Sequence, residues 1–247
     1  ILTELVKLRP NLVILGGHSD VTMWIAFFVG KILRIPIIYW TEDVRPSRSI
    51  LGKWLAYLFA KKSNSCVAQG KRTKRYLESL GVSSNNVYIA HNSIDYEIFT
   101  PLCRKFRKKA SFIKRQLGFR EKYLLIFVGK LIERKGIFDL VQIYEKVIQK
   151  RKDIGLIIIG SGPLKPYLLD VISKRSLGNI HLIDSGISNR NLIKYYAIAD
   201  LFVFPTLFDL APIVLNEAMI CELPVIVYDT AGNVDDLVIS QVNGVVI

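Results

Sequence analysis

Nine short apolar runs recur along this chain, with room for a helix between most neighbouring pairs. They are LVILG (12–16), PIIYW (36–40), SCVAQ (65–69), VYIAH (87–91), YLLIFVG (123–129), IGLIIIG (154–160), IHLID (180–184), DLFVFP (200–205) and PVIVYD (224–229). Most are continuous in Val, Ile and Leu. A strand with one wet face alternates apolar and polar residues, so continuous runs describe strands covered by helices on both faces. The expected fold class is therefore α/β with parallel sheets. With 247 residues, 51% of them hydrophobic, the chain can build one large core or two modest ones.

The polar, turn-rich NSIDYEIFTPL (92–102) breaks the series, and a new set of strands starts at Tyr123. This predicts a first unit over 1–101, a basic linker over 102–122 and a second unit over 123–247. The first unit opens on the helix-like ILTELVKLRP and the second ends on the strand-like NGVVI, so the chain reads as a piece lacking both ends of a larger protein. The apolar stretch VTMWIAFFVGKILRIPIIYW (21–40) is interrupted by Lys31, Arg34 and Pro36. It falls short of the roughly 18 uninterrupted apolar residues of a membrane span and reads as a buried helix followed by a strand. No secretory leader opens the chain, and Cys66, Cys103 and Cys221 lack metal-type spacing, so a reducing, cytoplasmic setting is expected.

Formal net charge is +13, unevenly spread: residues 1–122 hold 22 Lys/Arg against 8 Asp/Glu, and residues 123–247 hold 12 against 13. The excess is densest in KRTKR (71–75) and in RKFRKKASFIKR (104–115), where Phe106, Phe112 and Ile113 interleave with the basic residues. Such a surface suits an anionic partner such as nucleic acid, acidic lipid or a phosphorylated ligand; a merely solvated face is the plainer alternative.

In open parallel sheets, ligands bind beyond the carboxyl ends of the strands, where helix N-termini attract anions. Gly129, Lys130, Lys135 and Gly136 follow one strand, and the turn GSGP (160–163) follows the next, with Gly160 and Gly162. Two lysines on a short glycine-bearing loop suit a diphosphate. The stretch DLAPIVLNE places Asp209 before a helix and Glu217 within it. With Pro212 at the first helical position, Glu217 lies about 7.5 Å up the axis and leans back toward the N-terminus. Carboxylates accept hydroxyl groups. Lysines facing carboxylates therefore fit a ligand carrying phosphates and diols, a nucleotide sugar. His18, in GGHSD (16–20), ends another strand and is either a substrate contact or a turn residue.

These segments resemble glycosyltransferase family 4, the retaining enzymes of two-domain GT-B architecture. VGKLIERKG (128–136) looks like the family's Gly-Arg-Leu…Lys-Gly loop, LIIIGSGPLKPYL (156–168) like its Gly-x-Gly-Pro turn, and NEAMICELPVIVYDTAGNVDDLV (216–238) like its signature helix, strand and loop. Asp209 and Glu217 match its paired glutamates, and IAHNSIDYEIFTP (89–101) is similar to its Asn-Gly-Val-Asp…Phe-x-Pro segment. The likeness is strong after residue 123 and weak before residue 60.

The resemblance implies two Rossmann-like domains, the first incomplete here, and a role for each matching residue. Lys130 and Lys135 would bind the donor diphosphate and stabilise charge on it; Asp209 would contact the transferred sugar; Glu217 would accept ribose hydroxyls. The amides of Ile213 and Val214 would face the phosphates, and Glu42, in TED (41–43), would stand where many members have an acceptor-side histidine. No cofactor or metal is implied. Asp209 is shorter than the usual glutamate, Pro212 stands where many members have glycine, and Glu222 replaces another common glycine. The expected function is transfer of a sugar, with retention, from a UDP- or GDP-sugar to a lipid-linked or polysaccharide hydroxyl, as in cell-surface polysaccharide synthesis. The expected setting is the inner face of a membrane, with nucleic acid not a partner. The alternative is a non-catalytic basic module that docks on nucleic acid or membrane and keeps a vestigial nucleotide-sugar site.

Overall fold

The computed structural model describes residues 2–247; Ile1 of the opening segment lies outside them. The chain divides into two compact units, Ile1–Asn92 and Ser93–Ile247.

The first unit runs α1 (Leu2–Leu8), β1 (Val13–Gly16), α2 (Val21–Ile32), β2 (Ile37–Thr41), α3 (Ile50–Lys62), β3 (Ser65–Ala68), α4 (Lys71–Ser79) and β4 (Val87–Ile89). Its four strands form one parallel sheet in the order β1-β2-β3-β4. The core gathers Leu15, Phe27, Ile37, Tyr39, Phe59, Cys66 and Leu77, with Phe27 stacked on Phe59 at 4.2 Å between centroids. α2 departs from expectation: Ala26, Phe27 and Gly30 are buried, but Val21, Ile25, Phe28 and Ile32 form an exposed stripe at i, i+4, i+7 and i+11. A helix so apolar all round gives no sequence signal of which side packs.

The second unit begins with α5 (Tyr96–Arg107) and α6 (Ala110–Gln116), then β5 (Tyr123–Val128), α7 (Ile137–Lys150), β6 (Ile154–Ile159), α8 (Lys165–Lys174), β7 (Ile180–Ile183), α9 (Asn189–Ile198), β8 (Leu201–Phe204), α10 (Ile213–Ile220), β9 (Val225–Val227), α11 (Val234–Leu237) and β10 (Gly244–Val246). The strands form a parallel sheet ordered β10-β9-β8-β5-β6-β7. After β5 the chain moves one way to β6 and β7; from β8 it moves the other way. The direction of winding thus reverses between β5 and β8, and the crevice at their carboxyl ends is where such sheets bind ligands.

The expected linker is a correction. Residues 102–122 lie largely in α5 and α6, and they belong to the second unit's core. Phe99, Cys103 and Phe106 recur at i, i+4 and i+7 on α5 and are buried with Ile113 and Phe119. The basic residues between them point elsewhere: Arg104 pairs with Glu222 at 3.1 Å, Lys114 with Asp200 at 3.0 Å, and Arg107 donates to the Cys221 carbonyl at 2.7 Å. Of the interleaved apolar residues only Phe112 is exposed. RKFRKKASFIKR is thus a pair of amphipathic helices with a solvated basic side. With the boundary at 92/93 the first unit holds 13 Lys/Arg against 5 Asp/Glu and the second 21 against 16, so both are basic.

If 102–122 is core, Phe106→Ala should destabilise the second unit by about 3–5 kcal/mol in chemical denaturation. A linker phenylalanine would change stability by only ~0.5 kcal/mol.

Candidate functional site

The site of the second unit is built from loops at the carboxyl ends of β5, β6, β8 and β9. Leu131, just after β5, donates its amide to Ser161 at 2.9 Å and accepts from the Leu164 amide at 3.0 Å, which ties this loop to GSGP. The approach is close enough that a Cβ on Gly160 would lie 2.0 Å from the Gly129 carbonyl oxygen. Gly162 belongs to the same contact, facing Leu131. One turn of 3₁₀ helix, Glu133–Lys135, then leads to Gly136, which caps α7 at φ +69. A Cβ there would strike the Pro205 carbonyl, so only glycine lets the β5 loop lie against the end of β8.

That contact is reinforced by side chains. The Arg134 carbonyl accepts from the Leu207 amide at 2.9 Å and from Thr206 Oγ1 at 3.2 Å, while the Arg134 guanidinium donates to the Phe208 carbonyl at 2.9 Å. Thr230, after β9, donates to the Thr206 carbonyl at 2.5 Å, and the Gly232 amide donates to the Asp209 carbonyl at 2.7 Å. Three loops from three strands are thereby held in one frame.

Within this frame Lys135 is only 8% exposed. Its ammonium donates to Asp209 Oδ2 and lies 5.2 Å from the centroid of Phe204. Lys130 is exposed at the rim. Lys135 and Asp209, singled out in the sequence as 74 residues apart, are thus in direct contact.

α10 starts one residue later than expected. Pro212 is the N-cap, with ψ 112, and Ile213 is the first helical residue. No side chain caps the helix. The amides of Ile213 and Val214 occupy the first two positions, which have no partner within a helix. Asn233 sits beside this terminus. Its Nδ2 donates to the Pro212 carbonyl and to Asn216 Oδ1, each at 3.2 Å, and its Oδ1 is buried without a partner among the described residues.

Glu217 is half-buried on α10, and its Oε2 accepts from the hydroxyl of Tyr196 on α9 at 2.8 Å. Burial pushes the Glu217 carboxyl above the usual range, and the Tyr196 hydrogen bond offsets part of that rise. Tyr196 is itself fully buried, and its phenol is raised well above the ordinary value by burial and then by Glu217. Tyr196, Asn233, Arg134 and Thr206 were not legible as site residues. They act through side-chain contacts across the fold, which sequence spacing does not reveal.

In the first unit, His18 follows β1 and is buried. Its Nδ1 lies 2.7 Å from the Tyr39 hydroxyl and 3.5 Å from Asp43 Oδ2, and Thr41 Oγ1 donates to the same Asp43 oxygen at 2.8 Å. The carboxylate beside His18 is therefore Asp43. Glu42 is exposed, and its backbone carbonyl accepts from Thr73 Oγ1 at 3.3 Å. Among the described residues no cluster of three or more His, Cys, Asp or Glu could hold a metal ion, and no helix is long and apolar enough to cross a membrane.

The sequence signature of the glycosyl transferases group 1 family matches residues 109–247, and the chain belongs to that family. It is 27% identical over 251 residues to an uncharacterized glycosyltransferase of Methanocaldococcus jannaschii, covering 96% of this chain and 60% of the relative. It is 26% identical over 190 residues to the N-acetylgalactosamine-N,N'-diacetylbacillosaminyl-diphospho-undecaprenol 4-alpha-N-acetylgalactosaminyltransferase of Campylobacter jejuni, covering 76% of this chain and 48% of that one. The chain thus spans about half to three-fifths of these relatives. Among solved structures, Anabaena HepE in complex with UDP matches with a TM-score of 0.78 at 18% identity, over 100% of this chain and 67% of that one. At that identity the match shows the fold, two parallel-sheet α/β units of the kind found in GT-B glycosyltransferases.

The raised Glu217 carboxyl has a consequence for stability. Its value in the folded state exceeds the 4.5 of a free side chain, so the folded protein holds the proton more tightly and loses stability as pH rises between the two values. Glu217→Gln should therefore melt higher than the parent at pH 7, with the difference vanishing below pH 4.5. Thermal melts across this range decide the point.

Proposed function

We propose that the second unit binds a nucleotide-sugar donor and that the protein is a retaining glycosyltransferase acting on a lipid-linked or polysaccharide hydroxyl. The observation that carries this is the meeting, at the reversal point of the sheet, of Lys135, Asp209 and the uncapped N-terminus of α10. Lys130, Lys135 and the amides of Ile213 and Val214 would hold the diphosphate, with Gly129, Gly160 and Gly162 shaping the loops against it. The lysines would stabilise charge on the diphosphate as the glycosidic bond breaks. They supply the positive charge that a metal would otherwise bring, so the reading requires no metal and no cofactor.

Asp209 and Glu217 take the hydroxyls, the first from the transferred sugar and the second from the ribose. The unpartnered Asn233 Oδ1 is a further acceptor beside the same helix terminus. The ligand must also change the ion pair. Asp209 pairs with Lys135, and a diphosphate would share that ammonium while Asp209 turns to the sugar. In the first unit, His18 backed by Asp43 is the acceptor-side contact we favour over Glu42. Support for a lipid-linked acceptor comes from the Campylobacter relative, whose name specifies a diphospho-undecaprenol substrate. With it goes a cytoplasmic setting, peripheral on the membrane.

Calorimetric titration with UDP, GDP, ADP and dTDP, with and without magnesium, tests the reading. One nucleotide should bind without magnesium, with affinity lowered roughly tenfold or more in Lys135→Ala and less in Glu217→Ala. Failure of all four to bind folded protein would leave a vestigial site and favour the non-catalytic module.

A further inference from the structure

The first unit carries a helix with exposed apolar side chains, set in a stretch of sequence whose charged residues are all basic. From Val44 to Leu77 the chain carries nine Lys/Arg and no Asp/Glu. Within this stretch α3 is firmly placed. Ser49 caps it by accepting from the Gly52 amide at 3.0 Å, and Leu55, Ala56, Phe59 and Ala60 bury its inner side. Its outer side carries Ile50 (86% exposed), Trp54 (53%) and Tyr57 (50%) at i, i+4 and i+7, with Leu51 (54%) at the edge. Exposed Lys53 and Lys62 flank this row, and Arg48 precedes it.

From this juxtaposition we infer that α3 is the membrane-docking face of the protein and that its partner is an anionic lipid bilayer. Indole and phenol side chains sit well at the level of lipid headgroups, and aliphatic residues such as Ile50 and Leu51 gain by entering the acyl boundary. Lysine stems lie along apolar surface while their ammonium groups reach outward to lipid phosphate. A polyphosphate chain such as RNA satisfies the charge but offers nothing to Ile50 and Leu51. The exposed stripe of α2 carries one lysine, Lys31, and supports no comparable choice of partner. This surface deepens the peripheral-membrane part of the proposed function, but its test needs no nucleotide and no catalysis.

Vesicle co-sedimentation of the full-length protein provides that test, with phosphatidylcholine vesicles compared against vesicles also containing phosphatidylglycerol. Binding should require phosphatidylglycerol and fall roughly fivefold for each of Lys53→Gln and Lys62→Gln. The double variant Ile50→Ser/Trp54→Ser should lose binding by roughly tenfold or more. Because these positions are exposed, each variant should keep the parent's circular dichroism and nucleotide affinity. Absence of binding by the folded parent overturns the proposal, as does binding that the Ile50→Ser/Trp54→Ser variant leaves unchanged. Concentration-dependent self-association abolished by the same variant, without vesicle binding, would give the face to a second copy of the chain and also overturn it.

Discussion

The ion pair between Lys135 and Asp209 is the interaction around which the second unit's site is organised. A lysine 8% exposed is costly to keep charged unless a counter-charge and good geometry compensate it. Asp209 supplies the charge, and the ring of Phe204 at the end of β8 supplies a favourable face on another side. Since Lys135 comes from the loop after β5 and Asp209 from the loop after β8, satisfying one charge fixes two loops. In the proposed reading, a diphosphate would share the Lys135 ammonium and release the Asp209 carboxylate to accept hydroxyls.

Parallel topology makes such a pair possible. All strands of the sheet point their carboxyl ends the same way, so every strand-to-helix loop opens on one edge, and the reversal between β5 and β8 leaves a crevice there. Glycine then sets how closely the loops approach. At Gly136 and Gly160 the neighbouring carbonyls, of Pro205 and Gly129, occupy the space a side chain would need. The hydrogen bonds of Arg134, Thr206, Thr230 and Gly232 lock that close approach into a rigid rim. α10 begins beside this rim without a side-chain cap, which leaves its first amides without a partner inside the helix.

Much of this was legible in the sequence because it rests on local pattern. Continuous Val/Ile/Leu runs gave the strands of both sheets, and the loop positions of Lys135 and Asp209 followed from where those runs stop. Properties that depend on long-range packing were not legible. In α5 the basic residues obscured a clear i, i+4, i+7 series, Phe99, Cys103 and Phe106, and a core helix was read as linker. The helix boundary at Pro212 was misplaced by one residue, since proline fits both the N-cap and the first turn. Adjacent Glu42 and Asp43 are chemically similar, and only the fold shows which of them faces His18. Tyr196 lies 21 residues before Glu217, and only the tertiary fold brings the two into hydrogen-bond contact.

Amide hydrogen exchange with and without a saturating nucleoside diphosphate would show whether the edge between β5 and β8 is a nucleotide-sugar site. A donor site there should slow exchange only in 129–136, 160–164, 206–214 and 230–234, including the amides of Ile213 and Val214. Slowed exchange confined to the basic helices α5 and α6, with the β5 and β8 loops unchanged, would contradict it.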